Sequence, residues 1–68
     1  MHTTTLTLPK LLTAREVAAQ IGEPTWRVYE LSREHGLPHV RLGRAMRFDA
    51  RAVAEWLAKG GTRDHDDQ

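Results

Sequence analysis

The chain has 68 residues, enough for one small domain, and this length argues against a deep catalytic cleft between two lobes. It contains no cysteine, which excludes disulfides, a thiolate nucleophile and a cysteine-based zinc site. No apolar run approaches the roughly 20 residues of a membrane span and the N-terminus lacks the pattern of a secretion signal, so we expect a cytoplasmic protein.

The charge is distributed unevenly along the chain. The formal net charge is +1, but three of the nine acids lie within residues 64–68, which contain no lysine or arginine. Residues 1–63 hold ten bases and six acids, a balance of +4. A basic body with a short acidic tail indicates an anionic partner.

Three regions can be distinguished. Residues 1–9 include four threonines and no ionisable side chain except His2, and they predict a flexible arm that is extended near residues 6–8. Residues 10–60 have the periodic apolar pattern of a folded domain, and residues 61–68 predict a disordered acidic tail.

Two short helices open the folded region. Thr13 and Glu16 have the spacing of a capping box, and Gly22 is a typical stop, so the first helix is predicted over residues 14–21. Pro24 suits the start of a second helix that runs to about residue 35, where Gly36 and Pro38 end it. Two helices joined by so short a turn are typical of a helix-turn-helix.

After the second helix, apolar and polar residues alternate with a period of two. This alternation predicts a β-hairpin with a three-residue loop over 43–45. Pairing Leu42 with Met46 sets Val40 opposite Phe48, and this register directs all four apolar side chains towards the helices. The same register places Arg41 directly opposite Arg47 on the other face.

A third helix is predicted after the hairpin. Asp49 is a good N-cap, the helix covers about residues 50–59, and Gly60 and Gly61 end it. Its inward stripe comprises Ala52, Val53, Trp56 and Leu57. The fold class is therefore a small α+β domain, a winged helix-turn-helix with a two-stranded hairpin as its wing.

The three hairpin arginines, Arg41, Arg44 and Arg47, are the strongest functional signal. Like charges directly opposite on a sheet are destabilising, and no acid lies between residues 41 and 47. DNA phosphates or a narrow minor groove would neutralise such a cluster. The alternative is a solvated ribbon whose charges prevent edge-to-edge pairing.

The start of the second helix is the other candidate site, because this part of a helix-turn-helix faces the major groove. Arginine can read guanine, and a threonine methyl or an aromatic edge can touch the methyl of thymine. Trp26 and Tyr29 could instead pack in the core, and Arg27 and Arg33 could be ordinary surface residues. The candidate DNA-binding residues here are Thr25, Trp26, Arg27, Tyr29 and Arg33.

Metal binding and catalysis are not indicated. His35 and His39 are separated by Gly36 and Pro38, which break the helix that would align them, and no third ligand is evident. Ser32 has no evident base, and no phosphate-cradling loop is present. We therefore predict no metal, no cofactor and no enzymatic activity.

The order and spacing of seven motifs resemble the excisionase-like, MerR-related winged-helix DNA-binding domains over about residues 11–58. The resemblance implies that the second helix enters the major groove and that the wing arginines hold phosphates or the minor groove. Two departures are Gly22-Glu23-Pro24, where Gly-Val-Ser is common, and the bulky Trp26. The motifs are Leu12–Ala18, Ile21–Gly22, Val28–Tyr29, Gly36–Pro38, Val40–Arg44, Arg47–Phe48 and Ala54–Leu57.

Within this resemblance, the chain ends ten residues after Ala58, without an effector or coiled-coil segment. It therefore looks like a phage or mobile-element excisionase, a recombination directionality factor of a bacterial host. Such a protein binds double-stranded DNA beside the attachment site, next to neighbouring copies of itself, bends the DNA and directs integrase towards excision. The resemblance implies no membrane and no small-molecule effector. Two alternatives stay open: a small phage or plasmid transcriptional regulator, and a protein-interaction module that binds an acidic partner.

Overall fold

Three helices and three strands form the domain in a computed structural model, which describes residue 8 and residues 10–62. The predicted arm, apart from Leu8, and most of the predicted tail lie outside the described residues. Within the described part, no helix has the length and apolarity to cross a membrane. The elements in chain order are β1 (Leu11–Leu12), α1 (Ala14–Ile21), α2 (Thr25–Glu34), β2 (Val40–Leu42), β3 (Ala45–Asp49) and α3 (Ala50–Ala58).

Helix α1 has the predicted bounds, and the predicted capping box is confirmed. The Thr13 hydroxyl accepts from the backbone N–H of Glu16 at 3.0 Å, and the Glu16 carboxylate accepts from that of Thr13 at 2.8 Å. At the other end Gly22 has a φ of 74°, which a glycine adopts without strain, and the N–H of Glu23 donates to Ala18 O at 3.0 Å. Both ends of α1 are therefore fixed by local hydrogen bonds.

Helix α2 begins at Thr25, just after Pro24, which is predicted within its first turn, and it ends one residue earlier than predicted. Pro24 is the N-cap, and His35 is the C-cap with a φ of −127°. Gly36 then turns the chain with a φ of 78°, and the N–H of Leu37 donates back to Leu31 O at 3.1 Å. This turn buries the Leu37 side chain in the core.

Helix α3 is also capped as predicted, because the Asp49 carboxylate accepts from the backbone N–H of Arg51 at 3.4 Å. Its C-terminal turn is closed by the N–H of Gly61, which donates to Trp56 O at 3.0 Å. The side chain of Trp56 is half-buried against the core, whereas Leu57, predicted to face inward, is 44% exposed.

The sheet has three strands in the order β1-β3-β2, one more than the predicted hairpin. Strand β1 pairs antiparallel with β3, with Leu11 opposite Asp49 and Leu12 opposite Phe48. Two residues are too few to show a period of two in the sequence, so only pairing with β3 identifies this strand. The pairing places Leu12 on the core face beside Phe48.

The predicted register of the hairpin is wrong by one residue. Leu42 pairs with Ala45, Arg41 with Met46 and Val40 with Arg47, so the loop holds two residues rather than three. Gly43 occupies the first loop position with a φ of 66°, as the tight turns of two-residue hairpins require. The turn geometry therefore fixes the register.

This shift reverses the face on which the β2 side chains lie, because successive side chains of a strand alternate. Phe48 is fully buried, but Val40 and Leu42 lie on the face away from the core and are 43% and 56% exposed. Arg41 and Arg47 are not cross-strand partners. They leave the hairpin on opposite faces, Arg41 with Met46 and Arg47 with Val40.

The core lies between the three helices and the inner face of the sheet. Residues from α1, α2, the turn after α2, β3 and α3 contribute to it, and Leu12, Ile21, Met46 and Trp56 pack around it. Because Val28 and Leu31 face this core, the opposite arc of α2 is left for the surface. The buried apolar residues are Ala14, Val17, Ala18, Val28, Leu31, Leu37, Phe48 and Val53.

Candidate nucleic-acid interface

A surface concavity lies where the starts of α1 and α2 meet strand β3. Among the predicted site residues, it brings together Thr25 and Tyr29 of α2 with Arg47 of the hairpin, although Arg47 is 18 or more residues away along the chain. Arg47 and Thr25 are half-buried and Tyr29 is 39% exposed. The residues that line the concavity are Thr13, Ala14, Arg15, Thr25, Tyr29, Met46 and Arg47.

The exposed arc of α2 adjoins this concavity. With about 100° of rotation per residue, the buried positions Val28 and Leu31 leave Trp26, Tyr29 and Arg33 on the outer side. Trp26 is 64% exposed and Arg33 is exposed, so Trp26 does not pack in the core. Trp26 and Arg33 therefore lie on the same outer arc of the helix, about two turns apart.

Arg27 occupies a different part of α2. Its guanidinium forms a salt bridge with the carboxylate of Glu30, one turn further along the helix. Both side chains are partly exposed. An arginine held by its own helix has to exchange this partner before it can contact another anion, so Arg27 is less available than Arg33.

The hairpin arginines form no salt bridge within the described part of the chain, although the charge of Arg47 acts on the nearby carboxylate of Glu16. Arg41 and Arg44 are exposed, and Arg44 lies in the two-residue loop at the tip. Arg47 donates a hydrogen bond to the carbonyl of Met46 at 2.9 Å. The exposed guanidinium groups of Arg41 and Arg44 therefore remain available to an external anion.

One carboxylate stands close to the concavity. Glu16 has a pKa below the ordinary value of a glutamate, mainly because the backbone N–H of Thr13 donates to its carboxylate. The Thr13 hydroxyl and the positive charges of Lys10 and Arg47 lower its pKa further. Glu16 therefore stays ionised at neutral pH and holds the start of α1 in place.

Thr13 and Arg15 are concavity residues that sequence reasoning did not select. Both lie at the start of α1. The sequence indicates a capping-box role for Thr13 and an exposed helix position for Arg15. No local pattern marks them as neighbours of Tyr29 or Arg47, because that proximity arises only when α1 packs on α2 and β3. In the described ranges no three residues of the His, Cys, Asp or Glu type are grouped as a metal site would need.

A profile of the family described as "Helix-turn-helix domain" matches residues 11–61, which is three quarters of the chain. The chain belongs to the helix-turn-helix domain family. This family assignment, together with the three helices and the antiparallel sheet, confirms the predicted winged helix-turn-helix fold. Comparisons with curated proteins and with solved structures found no match.

The helix-turn-helix is a DNA-binding domain rather than a catalytic one. In this fold the first helix crosses the DNA backbone and the second enters the major groove. Here α1 and α2 are these two helices, and β2 and β3 form the wing. The concavity therefore lies between α2, the second helix of the motif, and strand β3 of the wing.

Proposed function

We propose that this helix-turn-helix domain is an excisionase, a DNA-bending recombination directionality factor of a phage or mobile element. It binds double-stranded DNA beside an attachment site in the bacterial cytoplasm and directs integrase towards excision. The observation that carries the proposal is the set of hairpin arginines that form no salt bridge within the described residues, one of which, Arg47, shares the concavity with the start of α2.

In the proposed complex α2 lies in the major groove. Arg33 contacts a guanine or a phosphate, and the ring of Trp26 packs against thymine methyl groups. Thr25 and Tyr29 sit on the side of α2 that faces the concavity and donate their hydroxyl hydrogen bonds to the DNA backbone. Arg27 contacts a base after it has released Glu30.

The wing contacts the neighbouring minor groove and backbone. Arg44 at the tip of the loop enters the groove, and Arg41 and Arg47 bind phosphates on its two sides, because they leave the hairpin on opposite faces. Each guanidinium that neutralises a phosphate releases a counterion, so affinity falls as the salt concentration rises.

An architectural role fits the small interface of one such domain. A single DNA-binding module buries about 600–1,000 Å² of its surface, and bending a site of 20–30 base pairs costs roughly 1–6 kcal/mol. Several copies bound side by side share this cost. The family includes excisionase-like proteins, which supports the same role for this chain.

The test begins with DNA fragments that the protein selects from a random library and from the DNA of the host. A mobility shift and a circular-permutation assay on these fragments measure affinity and bending. We then expect the protein to increase integrase-dependent excision of a marker flanked by attachment sites. Strong DNA binding without bending or excision, together with a change in transcript levels at bound promoters, would show a transcriptional regulator instead.

A further inference from the structure

The wing carries an apolar surface on the side away from the core. Val40 and Leu42 of β2 share this outer face with Ala45 and Arg47 of β3, their cross-strand partners. Val40 is 43% and Leu42 56% exposed, although a domain of this size has few large apolar side chains to spare from its core. About half of each of these two residues is open to solvent, and we call Val40, Leu42 and Ala45 the outer wing face.

The charges around the outer wing face indicate what covers it. Arg41 lies between Val40 and Leu42 in the chain, Arg44 follows Leu42 in the loop, and Arg47 pairs with Val40 across the hairpin. Residues 35–48 contain no acid. Apolar side chains flanked by the guanidinium groups of Arg44 and Arg47, neither of which forms a salt bridge within the described residues, suit a polyanion that also offers apolar surface. The same side chains do not suit burial against an apolar partner, because the arginines would then lose their hydration without gaining an anion.

The position of the outer wing face also indicates a polyanion as the molecule that covers it. Arg47 lies next to the outer wing face, across the hairpin from Val40, and it also lines the concavity with Thr25 and Tyr29. The outer wing face is therefore continuous with the surface that we propose for DNA binding. A ligand that spans α2 and Arg47 reaches Val40 and Leu42 without leaving the domain surface.

We infer that Val40 and Leu42 are minor-groove contacts that favour grooves without the guanine amino group and help to bend the duplex. The inference rests on the proposed function, since it requires DNA in the concavity. The deoxyribose rings that form the walls of the minor groove are apolar, and proteins that bend DNA insert leucine or similar side chains there. Arginines that bind the flanking phosphates hold the two aliphatic side chains against these walls.

Aliphatic contacts in the minor groove predict a preference among base pairs. A G·C pair places the N2 amino group of guanine in the minor groove, and an aliphatic side chain cannot accept its hydrogen bond. An A·T pair has no such group. Inosine lacks the amino group too but keeps the other groups of guanine in the major groove, so I·C pairs separate minor-groove from major-groove recognition.

The test compares Leu42→Thr with Leu57→Thr in the full chain. Both leucines are about half exposed and neither belongs to the core, but Leu57 lies on α3 at a distance from the wing. The probe is a duplex of about 30 base pairs that wild-type protein selects from random DNA, in its original form and with every G·C pair outside the major-groove site replaced by I·C. Titrations give affinity and salt dependence, and fluorescence energy transfer between the duplex ends gives the bend.

We expect wild-type protein and Leu57→Thr to bind the I·C duplex more tightly than the original and to bend both duplexes. Leu42→Thr is expected to bind roughly fivefold more weakly, to lose the preference for I·C and to bend less. Its salt dependence stays that of wild type, since no charge is removed. Circular dichroism checks the helix content of Leu42→Thr. Val40→Thr provides a second variant with the same expected losses, because threonine is similar to valine in size and β-propensity.

Three results would overturn the inference. If Leu42→Thr and Val40→Thr match Leu57→Thr in affinity, I·C preference and bend, the outer wing face does not contact DNA, and the proposed function stands as long as Arg44→Ala weakens binding. If the two variants instead abolish self-association measured by sedimentation without DNA, the face joins copies of the chain. If wild-type protein binds no DNA even at low salt, the proposed function fails together with the inference.

Discussion

Arg47 lies directly across the hairpin from Val40, and not from Arg41. The repulsion between two facing guanidinium groups that the sequence register predicts is therefore absent. The arginines instead leave the wing in three directions, with Arg41 on the core side, Arg47 on the outer side and Arg44 at the tip. This spread suits the two sides of a groove better than a row of charges on one face would.

Arg44→Ala tests the electrostatic part of the proposed interface. Arg44 is exposed in the loop and forms no ion pair within the described residues, so its removal leaves the fold intact. We expect weaker binding to all DNA sequences and a decrease of about 0.9 in the slope of log affinity against log salt. Mobility-shift titrations at several salt concentrations measure the slope.

Arg51→Ala is the matched control, because Arg51 is an exposed arginine that belongs to α3 and not to the hairpin or α2. Equal slopes for the two variants would show that the wing makes no special contact with phosphates.

The salt bridge of α2 gives a second prediction. In the free protein Glu30 holds Arg27, and it also places a negative charge on the helix that we propose for the major groove. Glu30→Gln is expected to strengthen DNA binding and steepen its salt dependence, because Arg27 becomes available and a repulsion is removed. Arg27→Ala is expected to weaken binding and relax the base preference.

Selection of binding sites from random DNA with each variant measures that base preference. The pair is partly exposed and lies within one helix, so its loss should change the free energy of unfolding by only about 0.5 kcal/mol or less. A Glu30→Gln variant that binds DNA as weakly as Arg27→Ala would contradict this account of α2.

The two tryptophans provide an optical test, because they differ in place and exposure. Trp26 is 64% exposed on α2, whereas Trp56 is half-buried against the core. In Trp56→Phe the remaining emission comes from Trp26, and we expect DNA to quench it as bases approach the indole. In Trp26→Phe the emission of Trp56 should stay unchanged on DNA addition. If DNA instead quenches Trp56 and leaves the emission of Trp26 unchanged, the DNA contacts α3 rather than α2.

The capping box at α1 predicts a loss of stability. Thr13→Ala removes the hydroxyl that accepts from the Glu16 backbone N–H at 3.0 Å, and loss of such an N-cap costs about 1 kcal/mol. Urea denaturation followed by circular dichroism measures the change. Thr13→Ser keeps the acceptor and is expected to remain close to wild type. Equal losses in both variants would assign the effect to the threonine methyl group.

Glu16 predicts a pH dependence. Its pKa is lowered in the folded protein, chiefly by the hydrogen bond from the Thr13 backbone, so the unfolded chain binds the proton more readily. The stabilisation is therefore present above the ordinary pKa of glutamate and is lost as the pH falls through the lower folded value. We expect Glu16→Gln, which does not titrate, to reduce the change in the urea midpoint between about pH 5 and pH 3. An unchanged acid dependence in this variant would show that other carboxylates cause it.

Local patterns in the sequence predict the helices of this protein well. The bounds of α1 follow from Thr13, Glu16 and Gly22, and the start of α3 follows from Asp49, because caps act through hydrogen bonds within a few residues. The fold class follows from the order of these elements. The position of α2 and the apolar positions Val28 and Leu31 also indicate which arc of that helix faces outward.

The hairpin shows where such patterns fail. The apolar residues of both strands suggest a register in which they all face the core, and the choice of a three-residue loop permits it. The actual loop has two residues with Gly43 first, which moves the register by one and turns Val40 and Leu42 outward. A strand has a period of two, so the smallest possible error in register exchanges the faces of all its side chains.

The helix ends, the fold class and the excess of positive charge follow from the amino-acid sequence alone, because each depends on neighbouring residues or on simple counts. Three features become visible only in the folded chain: β1 joins the sheet, Glu30 holds Arg27, and Arg47 and Tyr29 line one concavity. Strand pairing and the packing of α1 and α2 on β3 bring together residues that no local interaction links. The relative positions of the candidate DNA contacts are therefore a property of the packed domain.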